Sequence, residues 1–223
     1  MPQPETTQRD LMDANYRWMK YIYDFTRPSF LLGRNRLLAR IADFQPRTVL
    51  EIGVGTGRNL KKLALMLPEA KLYGSDISPE MLSYAAKTIH KAGLSQRIEI
   101  IEADGIPAFG KFNSGNTFDV VFFSYSLSMI PDWQAALRNA AGCVEQNCGH
   151  LLIVDFGSFA RWPGFIARQF HRNMQAFHVT VRGEIIQFLQ SDEAFKGWTL
   201  ESQNFGFDWA LMHVLSPPET GPL

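Results

Sequence analysis

Apolar residues along the chain form short runs that alternate with segments of helical spacing, and this alternation predicts an α/β fold. Five runs rich in β-branched and aliphatic residues are predicted strands: 47–53, 71–77, 98–104, 118–127 and 149–156. Three segments with apolar residues at helical spacing are predicted helices: 58–67, 78–93 and 131–144. Residues 197–217 alternate enough to form a final antiparallel hairpin. The order predicts a doubly wound, mostly parallel sheet of seven strands with helices on both faces.

Composition narrows the function classes. The chain has 223 residues, 46% of them hydrophobic, and a formal net charge of zero. These values fit one large globular domain and give no reason to expect a nucleic-acid partner. The two cysteines, Cys143 and Cys148, lack a second pair or a histidine cluster, so we expect reduced thiols in the cytoplasm and no metal site. Without a signal peptide or a long apolar run, we expect any membrane contact to be peripheral.

The loop after the first predicted strand reads "EIGVGTGRN". Gly53, Gly55 and Gly57 allow a sharp turn and a close approach of the backbone to a ligand. The spacing differs from that of dinucleotide-binding loops and of P-loops. A tight strand-to-helix connection without a ligand is the alternative.

Two acids close the next two predicted strands. Asp76 ends the second strand, where ligands of doubly wound sheets bind, and it can accept both hydroxyls of a ribose. The alternative for Asp76 is an N-terminal charge for the following helix. Asp104 ends the third strand, beside Gly105.

The motifs "VLEIGVGTGRN", "GSDIS" with Met81, and "EADG", in this order, resemble those of the class I S-adenosylmethionine-dependent methyltransferases. The resemblance covers residues 47–156 and implies a Rossmann-like methyltransferase fold and S-adenosylmethionine as cofactor. It implies that the three glycines pass the methionine moiety, that Glu51 organises their loop and that Asp76 holds the ribose. It also implies adenine contacts from Ile77, Met81, Asp104 and Gly105, and places Ser124 and Tyr125 at the transferable methyl. Ile77 and Met81 are equally compatible with core packing.

Two segments combine arginines with aromatic residues. Residues 14–42 contain six basic residues and one acid, and residues 156–182 contain four arginines and no acid. We interpret 1–45 as a helical lid and substrate segment on a cofactor-binding core of 46–223, with 156–182 as an insertion after the fifth strand. Both segments would then surround one pocket mouth and favour an amphiphilic or membrane-bound substrate. The alternative for the first segment is a solvated amphipathic helix that packs by its aromatic residues, and the alternative for the second is a pair of helices packed in the core.

The stretch "YIYDFTRPSFLLGRNRL" resembles the N-terminal signature of the bacterial N-methyltransferases that trimethylate diacylglycerylhomoserine, a step of betaine lipid synthesis. This resemblance implies that Tyr23 lies near the sulfonium or the growing ammonium, where an aromatic face attracts a cation. Arg27 and Arg34 would hold a carboxylate of the cofactor or of the homoserine head group. Tyr23, Tyr125 and Trp162 would line a pocket with room for a trimethylammonium group.

The resulting hypothesis is a lipid N-methyltransferase on the inner face of the cell membrane, in contact with anionic lipid. We expect a partner enzyme to supply the unmethylated lipid. Phosphatidylethanolamine N-methylation and carbon methylation of a quinone precursor are the alternative reactions. A non-enzymatic binding module is disfavoured, because an unused pocket has no need of the three glycines and Asp76.

Overall fold

A computed structural model describes residues 31–103, 117–176 and 179–218. Seven strands form one sheet in the order β3-β2-β1-β4-β5-β7-β6. Their bounds are Thr48–Ile52 (β1), Lys71–Asp76 (β2), Ile98–Glu102 (β3), Val120–Ser124 (β4), His150–Phe156 (β5), Thr199–Phe205 (β6) and Ala210–Ser216 (β7). β7 runs in the direction opposite to that of the other six strands. The predicted doubly wound, mostly parallel sheet and its final hairpin are confirmed.

Helices cover both faces of the sheet. The bounds are Arg34–Asp43 (α1), Arg58–Met66 (α2), Pro79–Lys91 (α3), Trp133–Gly142 (α4), Gly164–Ala176 (α5) and Ile185–Ser191 (α6). Apolar residues of α1, α2 and α3 pack on one face, and those of α4 and α6 pack on the other. Within the three described ranges, no helix is long and apolar enough to cross a membrane.

Local signals explain where several elements begin and end. Ser78 caps α3 by accepting a hydrogen bond from the backbone N–H of Met81, and Pro79 takes the first position, as predicted. The predicted strand 118–127 was too long, since β4 ends at Ser124. The chain turns there because Tyr125 adopts a positive φ of 58°, which is incompatible with a strand.

The described part of the predicted lid segment, residues 31–45, packs on the sheet. Helix α1 buries Leu37, Leu38 and Ile41 in the core. Just before it, Gly33 has a φ of 78°, and a side chain here would come within 2.9 Å of the ring of Phe205. The chain therefore crosses the sheet close to its surface before α1 begins. Residues 1–30, including Tyr23 and Arg27, lie outside the described residues.

Candidate active site

The glycine loop follows β1 at the carboxyl edge of the sheet, the edge at which β1, β2, β4 and β5 end. Gly53 has a φ of 80°, and a side chain there would come within 2.4 Å of the Cβ of Ser126. Gly55 also has a positive φ, 52°, but a side chain at this position would meet nothing within 4 Å. Gly57 caps α2. The loop thus packs against the segment after β4 at Gly53 and leaves open space at Gly55.

Asp76 holds this loop in place. Its Oδ2 atom accepts a 2.8 Å hydrogen bond from the N–H of Gly55, and its Oδ1 atom accepts a 3.0 Å bond from the N–H of Ser78. Burial raises the pKa of Asp76, and these backbone bonds counteract part of the rise. Because each carboxylate oxygen has a second lone pair, the predicted ribose contact is compatible with both bonds. The alternative interpretation is also partly right, since Asp76 supports the start of α3.

The predicted adenine residues have mixed environments. Met81 is buried at the first turn of α3, and Ile77 is half-buried beside Asp76. Their adenine contact stays a prediction. Asp104 and Gly105 lie outside the described residues.

Glu51 is a buried carboxyl group with one free oxygen. Its Oε1 atom accepts a 2.6 Å hydrogen bond from Nδ2 of Asn59, whereas Oε2 has no hydrogen-bond partner among the described residues. Burial raises the pKa of Glu51 to about 8, although Asn59 and the charge of Arg34 oppose the rise. The bond to Asn59, in the first turn of α2, supports the predicted role of Glu51 in organising the loop. The unpaired Oε2 is in addition suited to a ligand that donates hydrogen bonds.

Arg34 brings a positive charge to this end of β1. It is the first residue of α1, and only 8% of its surface is exposed. Burial lowers the pKa of Arg34, the charge of Arg58 lowers it further, and Glu51 opposes both. A buried guanidinium beside the cofactor loop fits the predicted carboxylate contact.

Tyr125 fastens the segment before α1 to the end of β4. Its hydroxyl donates a 2.5 Å hydrogen bond to the carbonyl of Leu32. Burial, with the charge of Asp155 in addition, raises the pKa of Tyr125 above its ordinary value. The hydroxyl therefore stays protonated and acts as a donor. Ser124, one residue earlier, is half-buried with a buried hydroxyl that has no partner among the described residues.

Aromatic rings run from Tyr125 to Trp162. Successive ring centroids are 4.7 Å apart from Tyr125 to Phe156, 6.5 Å to Phe170, 4.9 Å to Trp209 and 5.5 Å to Trp162. We call these five residues the aromatic path. The indole N–H of Trp162 donates a 3.4 Å hydrogen bond to the carbonyl of Gly206. Trp162 is thus linked to Tyr125, at the end of β4, through the rings between them.

Two further residues escaped the sequence analysis. Asp155 is buried near the end of β5 and accepts a 2.9 Å hydrogen bond from the N–H of Ser128, and burial raises its pKa to about 6. Asp155 could have been recognised from the sequence, because it is an acid near the end of a predicted strand, as Asp76 is. His171, on α5, lines a cavity of about 230 Å³ between α5 and residues 179–183. Its Nε2 atom is buried without a partner among the described residues.

The comparisons with known proteins identify the family. A model of the family described as a methyltransferase domain matches residues 49–147. The phosphatidylethanolamine N-methyltransferase of Cereibacter sphaeroides is 30% identical over 159 residues, which cover 71% of this chain and 73% of that protein. The chain belongs to the class I S-adenosylmethionine-dependent methyltransferases. The cofactor of this methyltransferase is S-adenosylmethionine.

Other relatives share less of their length with this methyltransferase. The demethylmenaquinone methyltransferase of Bacteroides fragilis is 25% identical over 130 residues, 58% of this chain and 51% of that protein. The chain spans between 24% and 35% of the length of the first curated relatives that it matches. A solved structure of the plantazolicin methyltransferase BpumL, in complex with a substrate analogue and SAH, has a TM-score of 0.71 at 17% identity. That match covers 95% of this chain and 93% of BpumL, and it shows the shared fold.

The residues at the carboxyl edge fit this cofactor. The open space at Gly55 admits a ligand next to the backbone, and Asp76 presents carboxylate oxygens beside it. The unpaired Oε2 of Glu51 can accept from the ammonium of the methionine moiety, and Arg34 supplies a guanidinium for its carboxylate. When bound, the cofactor supplies an electrophilic methyl group on a sulfonium.

Proposed function

We propose that this methyltransferase transfers methyl groups to the amino head group of a membrane lipid. Diacylglycerylhomoserine is the first candidate, with successive transfers to diacylglyceryl-trimethylhomoserine. The observation that carries the proposal is the aromatic path from Tyr125 to Trp162, which borders the cofactor loop's edge with apolar rings. Such rings suit acyl chains and attract the quaternary ammonium that repeated methylation produces. The phosphatidylethanolamine N-methyltransferase of Cereibacter sphaeroides, a relative over most of both chains, supports a lipid amine as acceptor.

The chain's own contribution to the reaction is alignment and exclusion of water. Only a free amine has a lone pair with which to attack the methyl carbon, in line with the sulfur that leaves. The amine's proton is released to water after transfer. Tyr125 is unsuited to act as a base, because its hydroxyl is protonated and donates to Leu32. Its ring is in edge contact with Phe156, and we propose that this apolar pair helps to exclude water from the reacting groups.

Arg34 is the residue that favours the homoserine head group. That head group carries a carboxylate beside its amine, whereas phosphatidylethanolamine carries a phosphodiester. A buried guanidinium binds a carboxylate through two parallel hydrogen bonds. Arg34 is nearly buried at the cofactor end of the site, and we propose that it binds either the carboxylate of the cofactor or that of the acceptor.

Carbon methylation of a quinone precursor is the second candidate. The similarity to the demethylmenaquinone methyltransferase of Bacteroides fragilis favours it. This reaction requires a base to activate a ring carbon. The unpaired Nε2 of His171, in the cavity beside α5, is the described group suited to that task.

A lipid assay with labelled S-adenosylmethionine tests these proposals. Vesicles would contain diacylglycerylhomoserine, phosphatidylethanolamine or a demethylated quinone, each in a separate reaction. We expect label in the homoserine lipid, less of it with Arg34→Gln, and unchanged transfer with His171→Asn. Label in phosphatidylethanolamine alone would show that this lipid, and not the homoserine lipid, is the acceptor. Label in the quinone alone, lost in His171→Asn, would replace amine methylation by carbon methylation.

The proposal extends to the setting of the enzyme. An acceptor of this kind stays in the bilayer, so the methyltransferase would work at the cytoplasmic face of the membrane, where it meets its water-soluble cofactor. A second enzyme would supply the unmethylated lipid. Co-sedimentation of the protein with membranes from its source cells, reversed by high salt, is the expected result.

A further inference from the structure

Two phenylalanines are exposed at the carboxyl edge. Phe165, in the first turn of α5, is 70% exposed, and Phe207, in the turn between β6 and β7, is 72% exposed. Ile166 is also exposed beside Phe165. Large exposed apolar groups that lie together are typical of surfaces that bind a partner or a membrane.

The two segments that carry these phenylalanines are fastened to each other. The N–H of Gly157 donates to the carbonyl of Trp209 at 2.9 Å, and the N–H of Phe159 donates to that of Asp208 at 3.1 Å. The guanidinium of Arg161 lies 5.8 Å from the ring centroid of Phe207. The turn is therefore joined to the segment that leads into α5. We call four exposed residues of these two segments the phenylalanine edge: Arg161, Phe165, Ile166 and Phe207.

This surface is positively charged. Arg168 and Arg172 are exposed on α5, three and seven positions after Phe165, which places them on the same side of the helix. Residues 157–183 contain no acid. The carboxylate of the nearby Asp208 accepts a hydrogen bond from Nδ2 of Asn204, at the end of β6. Arginines around exposed phenylalanines match a bilayer with anionic head groups, since the charges meet phosphates and the rings enter the interface.

The backbone of the turn is strained at Phe207. Gly206, Phe207 and Asp208 all have a positive φ, and for Phe207 the value is 56°. A bulky residue at positive φ is unfavourable by about 1 kcal/mol or more. The ring of Phe207 recovers little of this cost by burial, because most of it is exposed. Insertion of the ring of Phe207 into an apolar phase would offset this backbone cost.

The register of the sheet orients this surface. Ala210 of β7 pairs with Phe156 of β5, so the turn before β7 lies at the carboxyl edge, where the cofactor loop lies as well. From there the aromatic path leads inward to Tyr125.

We infer that the phenylalanine edge inserts into an anionic lipid bilayer and turns the carboxyl edge toward it. This inference rests on the proposed lipid acceptor. Docking would bring the head group to the cofactor without extracting the whole lipid from the membrane.

Vesicle sedimentation of matched variants tests the inference. The double variant Phe165→Ser/Phe207→Ser removes both rings, and Leu65→Ser/Met66→Ser removes exposed apolar groups from α2 as a control. With vesicles of phosphatidylcholine and phosphatidylglycerol, we expect at least a 10-fold loss of binding for the first pair and less than 2-fold for the control, because each inserted ring transfers favourably from water. Calorimetry with S-adenosylhomocysteine should give equal affinity for all three proteins, which shows that the fold is retained.

A triple variant, Arg161→Gln/Arg168→Gln/Arg172→Gln, tests the charge. Its binding should no longer rise when phosphatidylglycerol is added to phosphatidylcholine vesicles, and the wild type should lose binding at high salt. Equal sedimentation of wild type and Phe165→Ser/Phe207→Ser would overturn the inference. So would a dimer that dissociates in this variant, since the edge would then bind a second copy of the chain.

The assay separates this inference from the proposed function. If the phenylalanine variant loses vesicle binding while no lipid accepts label, membrane insertion of the phenylalanine edge is supported and the proposed lipid acceptor is contradicted. If a lipid in vesicles is methylated equally fast by wild type and variant, the lipid acceptor is supported and membrane insertion of the phenylalanine edge is contradicted. If both stand, the variant should methylate the lipid normally in detergent and slowly in vesicles.

Discussion

The hydroxyl of Tyr125 donates a 2.5 Å hydrogen bond to the carbonyl of Leu32, and this bond joins residues 93 positions apart. Leu32 stands two residues before Arg34, whose guanidinium is buried near Glu51. The bond therefore connects the end of β4 to the segment that leads into Arg34.

Replacement of Tyr125 by Phe should loosen this connection. The ring and its edge contact with Phe156 remain, but the carbonyl of Leu32 loses its donor. We expect the free energy of unfolding to fall by about 1 kcal/mol. Arg34 should be held less firmly, and affinity for S-adenosylhomocysteine should fall about 3-fold or more. A 3-fold change corresponds to a loss of about 0.7 kcal/mol in binding free energy. Denaturant titration and calorimetry measure the two effects, and unchanged affinity would show that Leu32 does not position Arg34.

Gly55→Ala should reduce cofactor binding, and Gly93→Ala provides a matched control. Both glycines have a positive φ, 52° and 69°, and a side chain at either would meet nothing within 4 Å. Each variant should therefore be destabilised by about 1 kcal/mol. Only Gly55→Ala should lose affinity for S-adenosylhomocysteine, by 10-fold or more, because its methyl group would take up cofactor space. An equal affinity for both variants would remove the cofactor from this loop.

Asp76→Asn should also weaken cofactor binding, and Asp119→Asn is its control. The Oδ2 atom of Asp119 accepts from the N–H groups of Arg47 and Thr48, at the opposite edge of the sheet. In both variants an amide replaces a carboxylate that binds two backbone donors, so both should be less stable. Calorimetry should show a loss of more than about 1 kcal/mol in cofactor affinity for Asp76→Asn alone. Equal affinity in the two variants would contradict the ribose contact.

Glu51 should make the stability of the methyltransferase depend on pH. Its pKa is raised from 4.5 to about 8, so between these values the unfolded chain ionises while the folded protein keeps the proton. The stabilising contribution is complete below pH 4.5 and is lost as the pH rises through 8. The free energy of unfolding should fall by about 1.4 kcal/mol per pH unit in this window. Glu51→Gln removes the ionisation, so the difference between the two proteins should grow from pH 5 to pH 8. Parallel curves would contradict the raised pKa.

Trp162→Leu should weaken binding of the acceptor and leave binding of the cofactor unchanged. The indole contacts Trp209 and Phe159 on the acceptor side. We expect the KM for the lipid to rise several-fold, with unchanged affinity for S-adenosylhomocysteine. Trp198→Leu is the control, because Trp198 contacts Phe195 on the other face of the sheet. A rise in KM for both variants would point to a general loss of stability.

The sequence predicted the sheet well because its signals are local. Runs of aliphatic residues and the cap at Ser78 depend on neighbours within one or two turns, and each was found near its predicted position. The glycine loop and Asp76 were recognisable for the same reason, since both belong to the ends of strands.

The long-range contacts of the site had no such signal. Arg34 was predicted to hold a carboxylate only from a resemblance, and no local pattern indicated its burial, which arises because α1 packs its Leu37 and Leu38 on the sheet. The bond from Tyr125 to Leu32 depends on a positive φ that no pattern around Tyr125 indicates. His171 acquires its cavity only when residues 179–183 fold back against α5.

Because β7 runs in the reverse direction, two separate parts of the chain supply residues to the carboxyl edge. The loop after β1 supplies Gly55 and the end of β2 supplies Asp76, whereas the turn before β7 supplies Phe207 and Trp209. The two groups belong to opposite halves of the sheet, with β4 and β5 between the strands that carry them. If the proposed function holds, amino-acid changes in the turn would affect the acceptor while the cofactor loops keep their shape. Exchange of the last hairpin would then be a route by which this sheet comes to accept a chemically different acceptor.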